Sequence, residues 1–512
     1  MDFFSEVSSE IESGRVRTKD QLQKLKMEIA RKYSLDHIPG DSDILAYLHG
    51  SEDTRKILTI KGTRTISGVA VVAAMTSPER CPHGKCIFCP GGPDNNSPQA
   101  YTGYEPAALR GRNNGYDPYN EVFNRLKQLE TIGHDTSKVD LIIMGGTFTA
   151  REPSYQMDFV KGCLDGMNRN VSRTLEEAIL ENENAERRCI GLTVETKPDW
   201  FLEKDIDLAL SYGATKVELG VQILKDDVLR MNNRGHGIEE IRRSTALARD
   251  AGLKIVYHIM PGMYGTSMED DYGSFDLMFS DPSFRPDMLK IYPTLVVKGT
   301  SLYKLWKDGK YVPPATDEMV DFLVYVLEKI PPWVRIQRIQ RDIPVRLIAA
   351  GVKRSDIRNL AEERIRKLTS GTGEIRYREI GRSSGRDSIT EMRRIDYDAS
   401  GGREIFLSFE TGGSIVGFLR LRIPSEESHR QELTGSSIVR EIKVFGREVP
   451  IGKHDDQWQH RGIGKEMIFL AENITREEFG LRRIAIMSGI GVRNYFRTLG
   501  YEILGPYMAK AI

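Results

Sequence analysis

The chain has 512 residues, 39% hydrophobic and 29% charged, with 73 basic side chains balanced by 73 acidic ones. That length exceeds one ordinary domain and predicts several, and the composition is that of a soluble globular protein. Zero net charge excludes nucleic-acid binding through overall charge, so any such contact needs a local basic surface. No apolar run is long enough to span a bilayer. The acidic start, Met1-Asp-Phe-Phe-Ser-Glu, lacks the basic-then-apolar form of a secretion signal. Both points predict a cytoplasmic protein with no membrane partner.

Residues 1–65 read as a helical, partly basic segment, with Leu22, Leu25, Met27 and Ile29 spaced among charges. Arg55, Lys56, Lys61 and Arg64 form either a solvated face or an RNA contact. From there strand-length apolar runs recur at 66–74, 139–144, 189–194, 216–221, 254–259 and 288–292, with helical stretches between them. Buried apolar strands alternating with helices signal parallel βα units. These units predict an α/β fold, an incomplete (β/α)6 barrel over 66–300, with its chemistry at the carboxyl ends of the strands.

Residues 301–375 complete the barrel and link it onward, carrying Arg335, Arg338 and Arg341 with little acid to offset them. Over 376–512 the pattern changes to a second, α+β domain. Two strands flank Gly412-Gly413, a hairpin turn. Another strand leads to a glycine loop, and a helix follows with Met467, Leu470, Ala471 and Ile474 on one face.

The most informative run is Cys81-Pro-His-Gly-Lys-Cys86-Ile-Phe-Cys89-Pro-Gly-Gly-Pro93, directly after the first strand. A four-iron cluster normally takes four cysteine ligands. With three, one iron is left open to the amino and carboxylate groups of S-adenosylmethionine, whose carbon–sulfur bond an electron from the cluster then breaks. The alternative is zinc, with His83 as fourth ligand. Five cysteines are an odd number in a large chain and argue against a disulfide scaffold. Cys163 and Cys189 read as small buried hydrophobes.

Gly145 and Gly146 follow the second strand, and Glu195 ends the third. Adjacent glycines expose backbone to a close ligand, or simply make a tight turn. A carboxylate at a strand end can hold a ribose hydroxyl or an amine. In the second domain Gln459-x-x-Gly462-x-Gly464 lies between a strand and a helix, where amides at a helix start and the clearance of glycine suit a pyrophosphate. That order of elements resembles the GNAT acetyltransferase fold.

A cysteine loop joined to a GNAT-like half resembles the catalytic subunit of the Elongator complex in its stand-alone archaeal or bacterial form. The motifs carrying the resemblance are the cysteine loop, Tyr101-Thr-Gly-Tyr-Glu-Pro106, Met144-Gly-Gly-Thr-Phe148, Arg338-x-x-Arg341-Asp-Ile-Pro344, Arg440-Glu-Ile-Lys-Val444, the 459–464 loop and Gly500-Tyr-x-x-x-Gly-Pro-Tyr-Met508. The resemblance implies a radical enzyme that binds acetyl-CoA and S-adenosylmethionine and converts the wobble uridine of tRNA to 5-carboxymethyluridine. A deoxyadenosyl radical takes hydrogen from the acetyl methyl, the carbon radical adds to uridine C5, and hydrolysis releases coenzyme A. It implies a [4Fe–4S] cluster on Cys81, Cys86 and Cys89, with Gly145, Gly146 and Glu195 near S-adenosylmethionine. For acetyl-CoA it implies Lys138, Glu441, Ile442, Lys443, Val444, Gln459, Gly462, Ile463, Gly464, Lys465, Tyr495 and Phe496.

Lys290 and Tyr292, at the end of the sixth strand, then face the place where uridine and acetyl group meet. The anticodon stem-loop of tRNA would lie on Arg335, Arg338 and Arg341. Elongator-like partner subunits or a homodimer are further expected possibilities. The cysteine loop has one residue more than the usual radical-enzyme spacing, at a place where the family varies. Phe496 stands where many members have a second tyrosine, which removes a hydroxyl. A rival reading is a protein lysine acetyltransferase with a structural cluster and Glu441 as base. A third is a tRNA-binding scaffold without catalysis.

Overall fold

The computed structural model describes residues 2–47, 57–59, 68–368, 371–380, 390–445 and 462–512. Gln459 and the basic residues Arg55, Lys56, Lys61 and Arg64 lie outside them. The N-terminal helices Phe3–Glu12, Lys19–Lys32 and Asp41–Tyr47 close over Val7, Ile11, Leu22, Ile29 and Ile44. Thr18 and Gln21 start the second helix as a capping box, each satisfying a backbone N–H that the first turn leaves unpaired.

The first large unit is built on β1 (Ala70–Met75), β2 (Lys138–Met144), β3 (Arg188–Thr196), β4 (Lys216–Gln222), β5 (Lys254–Ile259) and β6 (Met288–Ile291). A short β7 (Val296–Val297) leaves this sheet and pairs with β9 (Ile348–Ala350), while β8 (Arg335–Ile339) adds a further parallel strand beside β6. The sheet therefore has seven parallel strands in the order β1-β2-β3-β4-β5-β6-β8. The seventh comes from the segment expected to complete the barrel. On β2 the outward residues Val139, Leu141 and Ile143 are fully buried in the core under the helices. The inward residues Lys138, Asp140, Ile142 and Met144 are each partly accessible.

The second unit is a seven-stranded sheet of β10 (Glu391–Ala399), β11 (Gly402–Thr411), β12 (Ser414–Ile423), β13 (Ser436–Val444), β14 (Arg483–Ile486), β15 (Glu502–Leu504) and β16 (Tyr507–Ala511). All its pairings are antiparallel except β13 with β14, which are separated in sequence by the helix Ile463–Glu477. Met467, Ile468 and Ala471 of that helix pack on Phe406, Phe418 and Leu419 of the sheet, forming a separate core.

The two units meet at the amino ends of the barrel strands. Arg440 of β13 reaches across to Asp287, just before β6, through two hydrogen bonds of 2.6 and 2.8 Å, and donates to the Leu253 carbonyl just before β5. Its remaining partner is Glu404 at 2.9 Å. Arg422 binds Asp250 and Glu404 beside it, and Arg420 binds Glu441. All three guanidinium groups are buried, as are Asp287 and Glu404. Further along, Arg493 and Arg497 pair with Glu183, ahead of β3. Burial alone would raise the Asp287 carboxyl, but Arg440 and Arg420 hold it well below its ordinary 3.8. Its stabilising contribution is therefore complete above pH 3.8 and is lost as the pH falls from there toward the folded value.

Removing one partner of a buried charge pair strands the other. Arg440→Met is expected to cost about 3–5 kcal/mol and to split thermal unfolding into two transitions, read by calorimetry.

Candidate active site

The cysteine loop leaves the carboxyl end of β1 and is pinned from outside by two backbone bonds, Ile87 N–H to the Asn232 carbonyl and Leu302 N–H to the Ile87 carbonyl. Each sulfur has donors aimed at it. Thr147 Oγ1 lies 3.4 Å from Cys81 Sγ, and the Ala100 N–H and Gln99 Nε2 lie 3.3 and 3.4 Å from Cys89 Sγ. Arg234 Nη1 and His83 Nε2 each lie 3.2 Å from Cys86 Sγ. Arg234 is buried and has no carboxylate partner among the described residues, so thiolate sulfur is the countercharge on offer. His83 is driven down to about 3 by burial and by Lys197 and Arg234, so it is neutral.

Donors meet all three sulfurs, and the other two cysteines, Cys163 and Cys189, are buried in the barrel core. Three loop thiolates without a fourth cysteine beside them fit a four-iron cluster with one iron left open. Among the described residues, a group of three ligating side chains closes within 4.8 Å at Glu195, Glu218 and His258.

Beside the cysteines lie Gly145 at φ 140° and Gly146 at φ 98°, conformations that side chains rarely adopt. A Cβ on Gly145 would fall 1.9 Å from Thr76 Oγ1, and one on Gly146 would fall 3.6 Å from Cys81 Sγ. Across the cavity Glu195 accepts a 2.8 Å hydrogen bond from Tyr101. Glu218 of β4 accepts one of 2.8 Å from His258 Nε2 and touches the Lys290 ammonium, which is 4.0 Å from Glu195. The cation that three ligating side chains invite is thus supplied by a lysine. Burial opposes a charged Lys290, yet Glu218 and its neighbours hold its pKa above the ordinary 10.5. Burial would raise Glu218, but Lys290 and His258 hold it well below the usual carboxylate range. Burial keeps Glu195 raised, with Lys290 offsetting part of it.

The cavity these groups share is about 560 Å³ and is also lined by the cysteines, Tyr292, Arg338 and Arg341. Arg341 donates to the Ala100 carbonyl at 2.6 Å and lies over the rings of Tyr101 and Tyr292. Arg338 pairs with Asp342 at the rim.

The second domain has its own notch. Only Ser436–Val439 of β13 pairs with β14, so Glu441, Ile442, Lys443 and Val444 are partnered by β12 alone. The helix opposite begins at Ile463, with Gly462 at φ 87° as its cap. A Cβ on Gly464 would lie 3.6 Å from Tyr495 Oη and 3.9 Å from Val444 Cγ2. Glycine clearance, a helix start and a splayed strand therefore converge.

Comparison with known proteins agrees with both halves. The chain matches the models of the Radical SAM superfamily over 75–278, the Radical SAM C-terminal domain over 286–367 and the ELP3 N-terminal domain over 1–66. It is 45% identical to the tRNA uridine(34) acetyltransferase of Methanocaldococcus infernus, over 99% of this chain and 98% of that one. With Elongator complex protein 3 of Schizosaccharomyces pombe it shares 42% identity over 96% and 94%. The chain belongs to the Elongator complex protein 3 family. The solved archaeal structure from Methanocaldococcus infernus, lacking residues 1–46 of its own chain, superposes with a TM-score of 0.77 at 43% identity, covering 88% of this chain and all of that one. The fold is thus a radical SAM half-barrel with an appended C-terminal domain.

Within this family member the structure gathers some sequence-expected residues and disperses others. Cys81, Cys86, Cys89, Gly146, Glu195, Lys290, Tyr292, Arg338 and Arg341 line one cavity. Arg335 does not join them; it pairs with Glu379 and lies 6.0 Å over the Phe445 ring, against the second domain. Phe496 is buried in the second core behind Tyr495, so the hydroxyl missing there has no bearing on the notch. Lys465 is exposed and Ile463 is core. Lys138 opens β2, at the barrel end that faces the second domain.

Sequence reasoning missed Glu218, His258 and Arg234. The first two share a strand face with Lys216 and Lys254, with apolar residues or tyrosine between, a signal available in Lys216-Val-Glu-Leu and Lys254-Ile-Val-Tyr-His258-Ile.

Glu218→Gln removes the main support of the Lys290 charge while leaving the burial. The Lys290 amine is then expected to titrate below 10.5 rather than above it, a reversal read by NMR of isotopically labelled lysine.

Proposed function

We propose that this protein modifies the wobble uridine of tRNA, using acetyl-CoA and S-adenosylmethionine to form 5-carboxymethyluridine. The carrying observation is the pairing, in one chain, of a three-cysteine loop whose sulfurs are each met by hydrogen-bond donors with a GNAT-type notch on the second domain. The relatives named tRNA uridine(34) acetyltransferase support the substrate.

Cys81, Cys86 and Cys89 would hold a [4Fe–4S] cluster, which when bound supplies the electron that cleaves S-adenosylmethionine. Gly145 and Gly146 clear space for the methionyl part, and Glu195, oriented by Tyr101, accepts a hydroxyl or amine of that cofactor. Lys290 stays protonated and offers a fixed ammonium that can hold an acyl carbonyl. Tyr292, Arg338 and Arg341 form the rim where an unstacked base and its phosphates enter. Arg335, paired with Glu379 against the second domain, lies apart from this rim. Val444, Gly462, Gly464 and Tyr495 hold the acyl-CoA, with pyrophosphate at the start of the helix.

No described helix is long and apolar enough to cross a membrane, and the reading places the enzyme with tRNA in the cytoplasm. Partner subunits are compatible with the reading but not required by it.

The test is reconstitution. Anaerobic protein with acetyl-CoA, S-adenosylmethionine, a reductant and tRNA should yield carboxymethyluridine by mass spectrometry. Leaving out S-adenosylmethionine or substituting Cys86→Ser should abolish it. Lysine acetylation that persists in Cys86→Ser, with no modified uridine from the wild type, would replace this reading by the protein acetyltransferase one.

A further inference from the structure

The two candidate sites lie at opposite ends of the same strands. Cys81 and Gly146 follow the carboxyl ends of β1 and β2. The second domain grips the amino ends: Arg440 at Leu253 and Asp287, Tyr507 at the Ala251 carbonyl, Arg493 at Glu183. The seven residues of β4 separate these ends by about 20 Å at ~3.3 Å per residue. In the proposed reaction an acyl methyl bound at one end has to react at the other.

In a closed (β/α)8 barrel the inward side chains fill the centre in layers. Here they do not. Along β2 every outward residue is fully buried and every inward one is partly accessible. On the neighbouring β1, Val71 points inward beside Asp140 and is 51% exposed, while Ala70 and Val72 on either side of it are buried. The cavity that holds the cysteines is also lined by Val71, Ala73 and Ile142, with Arg125 and Leu129 of the neighbouring helix, so it reaches the middle of these two strands; Asp140, Lys216 and Lys254 lie beyond its lining. The accessible inner wall is small and apolar at mid-height.

Its lower end is polar. Lys216 pairs with Asp140 at 3.2 Å, and Lys254 sits next to Lys216 across β4 and β5. From the second domain, Lys443 and Glu441 of β13 act on the same group of charges. Burial, with Arg335 beside it, lowers Lys443 to about 7, and burial lowers Lys254 to about 8. Among the described residues neither amine has a hydrogen bond or ion pair. Lys443 lies 5.1 Å over the Phe445 ring, and both amines keep donors free for the amide and thioester carbonyls of a pantetheine arm.

We propose that the inner faces of β1 and β2 form a passage for the acyl-pantetheine arm of an acyl-CoA held on the second domain, entered past Lys254 and Lys443 and leading to the cysteine-loop end. This rests on the function proposed above and adds a route and a binding site to it. The adenine nucleotide stays on the second domain, and the arm alone enters the barrel. The RNA approaches from the opposite, Arg338 and Arg341 end, so the two substrates do not compete for one entrance.

The experiment narrows the passage without touching either end. Val71→Trp places bulk at a half-exposed position that the core does not use, and Ile142→Trp does so from the adjacent strand. With trideuterated acetyl-CoA, the wild type should move deuterium into 5′-deoxyadenosine. Both variants should lose at least tenfold of the deuterium carried per 5′-deoxyadenosine formed. By calorimetry, Val71→Trp and Lys254→Met should weaken acetyl-CoA binding roughly tenfold and leave the arm-less nucleotide 3′-phospho-ADP unaffected. If a tryptophan variant does not fold, Lys254→Met carries the binding comparison alone. Deuterium transfer that survives in both tryptophan variants, or equal losses for acetyl-CoA and 3′-phospho-ADP, overturns the passage and leaves the proposed function standing. Absence of transfer in the wild type overturns both.

Discussion

The contact between Arg440 and Asp287 fixes which end of the barrel the second domain closes. A guanidinium and a carboxylate, both out of water, cannot be separated without stranding two charges. Glu404 and the Leu253 carbonyl use up the remaining donors of the fork, so the orientation as well as the contact is specified. Asp287 also accepts the Ile255 N–H, which ties the charge pair to the start of β5. The interface is therefore an extension of the barrel's own hydrogen bonding. Arg422 on Asp250 and Arg493 on Glu183 repeat the arrangement at neighbouring strand starts. Once the second sheet is held there, β13 necessarily faces the barrel floor, and its Lys443 and Glu441 become part of the barrel's electrostatics.

The other end of the barrel works under a different constraint. Its charges are paired inward, around a cavity, rather than across an interface. Glu218 is the pivot, because it holds both His258 and Lys290. A buried lysine unaided would shed its proton; one beside a buried carboxylate keeps it. The result is a buried positive charge a short distance from Glu195 and Tyr292, where a single ammonium acts on a carbonyl or phosphate more strongly than it would in bulk water. Arg234 plays the parallel part at Cys86, a buried cation whose compensation comes from sulfur.

Much of this was legible in the sequence wherever chemistry demands a fixed spacing. Three cysteines in one loop, a glycine pair after a strand and a glycine loop before a helix each serve a backbone geometry that few other residues can supply. Gly145 and Gly146 make a turn at positive φ directly after β2. The alternation of apolar runs with helices gave the parallel sheet, and the seventh strand appeared in the segment read as its completion. Less legible was which member of a charged run serves which end. Arg335, Arg338 and Arg341 look alike in Arg-Ile-Gln-Arg-Ile-Gln-Arg. Yet a strand alternates its faces, and β8 has an irregular register against β6, so the first turns to the second domain and the other two to the cavity. Phe496 lies in the second core while its neighbour Tyr495 lies at the notch, because adjacent residues of a short helix point different ways.

The burial pattern of β2 carries information that composition conceals. In a doubly covered parallel strand both faces are apolar and buried, and the sequence reads as one run. Lys-Val-Asp-Leu-Ile-Ile-Met is instead mixed, with Lys138 and Asp140 on the same face as Ile142 and Met144. A charged pair at the floor of a filled core would cost several kcal/mol; at the wall of an open bore it costs little, because water or a ligand reaches it. The charge on one face of β2 is thus a sequence-level sign that the barrel is not packed to its axis. The partial exposure of Val71 opposite Asp140 is the structural counterpart of that sign. An incomplete wheel of seven strands leaves the room, and the alternating face determines what the room can hold.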